Sequence, residues 1–305
     1  MKVKLRVLFL SISSLICAFS FGQDVLTNQI ELSHDNDFIL LSDRYYSSGL
    51  FISYRKKLAK ELFGNDNGQL DFKLGQEVYT PKQTQSENSA VFDRPYAGFL
   101  GLHTRYSFAA KNQLFETTLL LGLAGINSGA GGFQRWYHKV IAISDSPLWI
   151  DELQNSFHTN IYGTYTKEWE LAPIPFGVRV ALKPSFALGT RDVFVAQEAI
   201  AFFGRRNAIN TSIANHRLGS QEREVFFALR AGVKYVLHNG LIEGNLFGDS
   251  SPVLKTPENI LLLLGFDFYH RFNKNDYKIG IRFNSRETGN AKAHKYLQLA
   301  YALSF

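Results

Sequence analysis

The chain has 305 residues, with 33 basic and 27 acidic side chains and a formal net charge of +6. A leader holding Lys2, Lys4 and Arg6 and no acid leaves +3 once removed (30 against 27), a balance that does not point to nucleic acid. The single cysteine, Cys17, falls in that leader, so disulfides, thiolate metal sites and cysteine nucleophiles are excluded from the remainder.

In chain order, the basic start is followed by a mostly apolar stretch, Val7 to Phe19, and then by Ser20-Phe21-Gly22. This pattern predicts a secretory signal peptide over 1–22, cut before Gln23. The apolar core is too short to span a bilayer comfortably. Beyond it no apolar run approaches eighteen residues, which argues against a transmembrane helix. The rest, 23–305, instead shows segments of roughly ten residues with period-two alternation, and reads as a single domain.

Strands are expected at Gln29–His34, Ser47–Lys57, Gln69–Tyr79, Ala97–Ala109, Gln113–Ala124, Ser156–Glu170, Phe176–Gly189, Asp192–Gly204, Glu224–His238, Asn259–Phe272, Asp276–Arg286 and Tyr296–Phe305. The last is the clearest. Leu297, Leu299, Tyr301, Leu303 and Phe305 line one face, fit for lipid; Tyr296, Gln298, Ala300, Ala302 and Ser304 line the other, fit for a lumen. Its terminal aromatic resembles the insertion signal of bacterial outer-membrane proteins, so the barrel-assembly machinery is an expected partner during insertion. About twelve such segments, an even number, and an aromatic content of 14% fit an all-β fold: a transmembrane antiparallel β-barrel in the bacterial outer membrane. Leu241–Phe247 is read as part of a surface loop.

With both termini on the periplasmic side, antiparallel strands assign every connection to a rim. The outer rim receives Asp35–Tyr46, Thr80–Tyr96, Gly125–Asn155, Gly189–Asp192, Asn239–Glu258 and Glu287–Ala293. The inner rim receives tight turns such as Leu171–Pro175 and Asn273–Asn275, and also the long polar segment Arg205–Arg223, which no motif accounts for.

The third outer loop carries Gly129-Ala130-Gly131-Gly132-Phe133-Gln134-Arg135-Trp136-Tyr137-His138-Lys139-Val140-Ile141. After the glycines it reads as a short helix. Gln134 and His138, at i and i+4, share a face, while Trp136 and Val140 occupy another, suited to the barrel wall or lipid. A histidine with a hydrogen-bonding neighbour one turn away can act as a general base toward water, although a lone histidine is more often structural. Asn36, Asp37 and Ser47 supply oxygen donors of the kind calcium uses, and equally the residues that ordinary turns use. Asp93–Gly98 has the same two readings. There is no Gly-x-Ser-x-Gly elbow, no His-Glu-x-x-His and no phosphate loop.

Taken in order, Asn36-Asp37, Tyr46-Ser47-Ser48-Gly49, Tyr79-Thr80-Pro81, Arg94-Pro95-Tyr96-Ala97-Gly98, Gln134-x-x-x-His138 and Pro147-x-Trp149 resemble the outer-membrane lipid A 3′-O-deacylase family (LpxR-type). The match covers about the first half of the mature chain; the second half is similar only in barrel pattern. The resemblance implies a twelve-stranded barrel with a site between the wall and the third-loop helix. It also implies lipid A, or lipopolysaccharide, as substrate and a Ca²⁺ that stabilises an ester oxyanion. Carried over, His138 is the general base, Gln134 positions it or the water, and Asn36, Asp37 and Ser47 stand at the centre. Ser47 takes the place of a threonine and keeps its hydroxyl.

Six residues after the histidine, where the pattern has an acid, stands Ser144 with Asp145 next. The metal ligand is either shifted to Asp145, beside Asp37, or lost. Lys82, Arg94 and Tyr96 are the expected substrate-binding residues at the rim, the two cations for the anionic head group. Two rivals remain: a non-catalytic barrel, structural or pore, and an outer-membrane phospholipase.

Overall fold

The computed structural model describes residues 26–37, 44–59, 67–141, 145–173 and 177–305. The expected signal peptide, Asp43 and Ser144 lie outside the described residues. No described helix is long and apolar enough to cross a membrane.

Twelve strands close into one barrel: β1 Asn28–Asn36, β2 Tyr45–Lys57, β3 Gly68–Thr80, β4 Ala97–Ala110, β5 Gln113–Ala124, β6 Ser156–Ala172, β7 Val178–Gly189, β8 Asp192–Arg205, β9 Glu224–Asn239, β10 Ile260–Phe272, β11 Asn275–Asn284 and β12 His294–Ser304. Each pairs antiparallel with its sequence neighbour. β12 returns to β1 with Gln29 opposite Ser304 and Asn36 opposite Leu297. Closure is what the bilayer demands, because every backbone N–H and C=O must find a partner without water.

The alternation read in the sequence sets the two faces. In β10, Ile260, Leu262, Leu264 and Phe266 point outward, while Asp267, Tyr269 and Arg271 are buried inside. Several charged groups inside are paired, as burial favours. Arg55 meets Glu31 at 2.7 Å, Arg230 meets Asp267 at 2.6 Å, Arg271 meets Asp276 at 2.7 Å, and Arg105 bridges Asp71 and Glu116.

The long inner connection, 206–223, folds back into the end of the barrel that holds the termini. Arg217 donates to Ser107 Oγ at 2.8 Å and to the Asn67 carbonyl. Leu218 N–H reaches Gln69 Oε1 at 3.1 Å, and Arg271 donates to the Thr211 carbonyl at 2.8 Å. The Glu224 carboxylate accepts from the backbone of Asn207 and Ile213. These contacts run from β3 and β4 across to β10, so the segment is a plug. Its own Ile209, Ile213 and Leu218 are buried.

The opposite mouth is closed by loops. Arg94 pairs with Glu287 at 2.8 Å, Thr288 Oγ1 donates to the Asp93 carbonyl at 2.7 Å, and Tyr45 Oη donates to Asp93 at 2.9 Å. Between the closures lies a polar cavity of about 270 Å³, bordered by Glu31, Asp35, Arg55, Lys73, His103 and Arg105.

The strand ends fall within two residues of those expected. β1 continues past His34 to Asn36, because the ladder to β2 and β12 holds through a polar run that looked like a turn. β12 begins at His294, before the expected Tyr296.

Candidate active site

In β1, Ile30 and Leu32 face outward and Glu31 and Asp35 inward, so Asn36 falls on the outward side. It stands opposite Ser48 of β2 and Leu297 of β12. A polar side chain facing lipid should be exposed, yet Asn36 is only 7% exposed. On the same outer wall the third loop's helix α1 (Ala130–Ile141) packs at β3 and β4.

Glycine explains how closely the helix sits. Gly98 of β4 lies under its first turn, where a Cβ would strike Ser128 Oγ and come within 2.5 Å of the Ala130 Cβ. Gly131 lies against Trp149, where a Cβ would come within 2.9 Å of the indole. Gly129 takes a positive φ of 72°, and its carbonyl accepts the Phe133 N–H, the first helical bond. Gln76 Nε2 ties the Ser128 carbonyl to the wall at 2.7 Å. Beneath α1, Val78, Phe92, Tyr96, Trp149 and Val253 form an apolar pad, with Tyr96 stacked on Trp149 at 5.1 Å.

Seated this way, α1 turns Gln134 (4% exposed) and His138 (8% exposed) inward and leaves Trp136 58% exposed, toward lipid. Gln134 is clamped at both ends of its amide. Its Oε1 accepts from Trp149 Nε1 at 2.6 Å, and its Nε2 donates to Ser47 Oγ at 3.3 Å. Ser47 is available because β2 bulges between Tyr46 and Ser48. Tyr46 stays inside on Asp35 at 2.9 Å, and the extra residue is freed for the helix. Asp37 is fully buried beside Ser47, whose carbonyl takes the Asp37 N–H at 3.3 Å; its Oδ2 accepts the Arg44 backbone N–H at 2.9 Å.

A chain of contacts thus joins Asn36 and Asp37 to Ser47, Ser47 to Gln134, and Gln134 through one helical turn to His138. A fixed carboxamide meets a hydroxyl here, with a buried carboxylate beside that hydroxyl's residue and a buried imidazole one helical turn from the carboxamide. Asn36, Asp37 and Ser47 offer oxygen alone, including the hydroxyl, carboxamide and carbonyl groups that a hard cation takes, so the donor set fits Ca²⁺. One carboxylate among neutral oxygens is a low-charge site, and among the described residues no group of three or more His, Cys, Asp or Glu has metal-holding geometry. Asp145 is exposed after the helix, where its backbone carbonyl accepts from Gln85 at 3.3 Å.

The rim residues separate. Lys82 is exposed, with its backbone N–H on Asp93 at 3.0 Å. Arg94 does not stand open as expected. It is 2% exposed, salt-bridged to Glu287, and lies 4.4 Å from the Tyr79 ring, because neutralising a buried guanidinium requires such a partner. Tyr96 is likewise buried in the pad, its Oη on the Thr84 carbonyl at 2.9 Å. Sequence reasoning gave no role to Trp149, although it matched in Pro147-x-Trp149. It also passed over Glu152, whose Oε1 lies beneath the start of α1 without a hydrogen-bond partner among the described residues. Burial pushes that carboxyl up to about 7, against the Gly98 N–H and Arg135, which favour the charge.

The family model for the outer membrane protein LpxR matches residues 7–305. The chain belongs to the LpxR family. Among solved structures, this LpxR-family barrel is similar to LpxR from Salmonella typhimurium, with a TM-score of 0.75 and 16% identity over 91% of this chain and 100% of that one. At that identity the likeness is one of fold. The β-domain of the Bordetella autotransporter BrkA follows at a TM-score of 0.43 and 11% identity, over 92% of this chain and 100% of that one. The NalP translocator domain of Neisseria meningitidis stands at 0.38 and 9%, over 100% and 95%. No curated protein sequence matches the chain.

Proposed function

We propose that this outer-membrane barrel is a lipid A deacylase that hydrolyses an ester-linked acyl chain in the outer leaflet, with His138 as general base. The observation that carries the reading is the direction of the polar cluster. Gln134 reaches Ser47 outside the barrel, with His138 buried one turn further along a helix that presents Trp136 and Val140 to lipid, and Asn36 is buried on the same outward side of the wall. The lumen is crossed by the plug at one end and by the Arg94–Glu287 cap at the other. Groups so placed act on something in the membrane, which favours a lipid ester over a solute in transit.

In this mechanism His138 takes a proton from water, and the oxygen attacks the ester carbonyl. The tetrahedral oxyanion collapses, the bond to the sugar oxygen breaks, and that oxygen receives the proton from His138. The products are a fatty acid and a free sugar hydroxyl. Gln134, held by Trp149 and Ser47, is a rigid amide that orients the water or the imidazole. Asp37, with neutral oxygens from Asn36 and Ser47, would hold Ca²⁺, which supplies positive charge where the ester oxygen becomes negative.

The test is mass spectrometry of lipid A from Gram-negative cells expressing the wild type or His138→Ala at matched membrane levels. The wild type should remove the mass of one acyl group, and the variant should lose roughly 10²–10⁴-fold in rate. A chelator should suppress activity in isolated membranes, and calcium should restore it. Unchanged lipid A with calcium present and the barrel folded, as judged by heat-modifiable migration, refutes the reading. Shortened phospholipid in its place assigns the site to the phospholipase alternative.

A further inference from the structure

A second lipid-facing feature lies on the other side of β1 from the helix. β1 stops at Asn36, opposite Leu297, so the first residues of β12 stand above its end. The start of β2 comes across that gap, where His294 Nε2 meets the Tyr46 carbonyl at 3.0 Å. This brings Arg44 to the top of a groove of about 320 Å³ on the outer wall. Leu262, Leu264 and Phe283 are its apolar floor, and Arg44 and Lys295 its polar end. Lys295 is exposed, and the Arg44 guanidinium lies 5.5 Å from the Tyr45 ring. The Arg44 Nε is buried and has no hydrogen-bond partner among the described residues.

An apolar floor under two cations complements a molecule with a hydrocarbon chain and an anionic head. Arg44 ties the groove to the candidate active site, because its backbone N–H holds the Asp37 carboxylate. With strands about 4.8 Å apart, the floor on β10 and β11 lies roughly 10–15 Å around the wall from Asn36 on β1. A two-chain phospholipid fills one place or the other. A glycolipid with several chains on one phosphorylated disaccharide reaches both.

We propose that this groove is a substrate subsite: it takes a second acyl chain of the lipid A molecule whose ester lies under α1, while Arg44 and Lys295 bind its acidic head group. The inference rests on the lipid A reading but is measured separately from it. Two substitutions probe it: Arg44→Ala with Lys295→Ala removes the charges and keeps the backbone that holds Asp37, and Leu264→Trp fills the floor from the lipid side.

The binding experiment uses folded His138→Ala protein in mixed micelles, with lipid A or phosphatidylglycerol as the probe and mass spectrometry of the lipid retained. The charge variant is expected to retain lipid A about tenfold more weakly or worse, and phosphatidylglycerol as before. In the active protein, either substitution should raise KM with kcat held within about twofold. Unchanged lipid A retention overturns the subsite, and so does an equal loss of phosphatidylglycerol, which marks a general anionic surface. If the wild type releases no acyl chain, the catalytic reading falls while the retention assay still decides the groove.

Discussion

Replacing Gly98 with alanine tests whether the seating of α1 on the wall carries the chemistry. The β4 backbone at this point is held on both sides. Gly98 pairs with Val78 of β3, and its carbonyl accepts the Gly125 N–H at 3.1 Å, so the strand has little freedom to retreat. The new methyl would lie 2.5 Å from the Ala130 Cβ, 3.2 Å from Glu152 Oε1, and closer still to Ser128 Oγ. Carbon atoms pack best at about 3.5–4.0 Å, so the first turn of α1 must lift by about 1 Å. Such overpacking costs about 1–3 kcal/mol, small against twelve laddered strands. A 1 Å displacement of a reacting group, by contrast, costs on the order of 100-fold in rate. The assay is the initial rate of acyl release in membranes, with heat-modifiable migration as the fold check. Gly132→Ala is the control. It lies in the same helix, its Cβ would meet nothing within 4 Å, and it should stabilise α1 by up to about 1 kcal/mol at full activity. A folded Gly98→Ala barrel working within about twofold of wild type would refute the link between seating and rate.

The remaining predictions concern the loop under α1 and the lumen. With the Glu152 carboxyl at about 7, above its unfolded value, the fold keeps a proton that the unfolded chain releases. Its contribution is therefore fully present below the unfolded carboxylate range, declines as pH rises toward 7, and is flat above it. Discounted for partial solvent exposure, the swing is about 1–2 kcal/mol. Hydrogen-exchange protection in the third loop, taken relative to the intrinsic rate at each pH, should fall across that window in the wild type but not in Glu152→Gln; parallel profiles would contradict the assignment. In planar bilayers the wild-type barrel should hold a steady baseline, because the plug and the Arg94–Glu287 cap close both ends; porin-like steps would mean that one closure opens in a membrane.

Most of the barrel was legible because its strands obey a local rule. A segment such as Tyr296–Phe305 declares both faces within ten residues, and the lumen needs only small or polar side chains. Asn36 broke that rule. A polar residue on the lipid side looks like the end of a strand, and only pairing with Ser48 of β2 and Leu297 of β12 makes it part of the wall. The plug was illegible for a related reason. Arg217 and Leu218 find partners in Ser107 and Gln69, separated by 110 and 149 positions, and nothing in 206–223 repeats at a strand or helix period. Within the site, the i, i+4 spacing of Gln134 and His138 placed them on one face, but the Trp149 clamp depends on a loop fold that spacing does not encode. Arg94 shows the opposite error. A cation in a rim motif looked available to substrate, and its partner Glu287 lies on the eleventh connection, 193 positions away.

Because the polar cluster opens sideways from the wall, a substrate would arrive by lateral diffusion within one leaflet. The relevant concentration is then a mole fraction in that leaflet rather than a molarity in solution. Diluting the membrane with inert lipid should slow such an enzyme even when the total substrate in the vessel is unchanged. Adding buffer at constant lipid composition should leave each barrel turning over at the same rate.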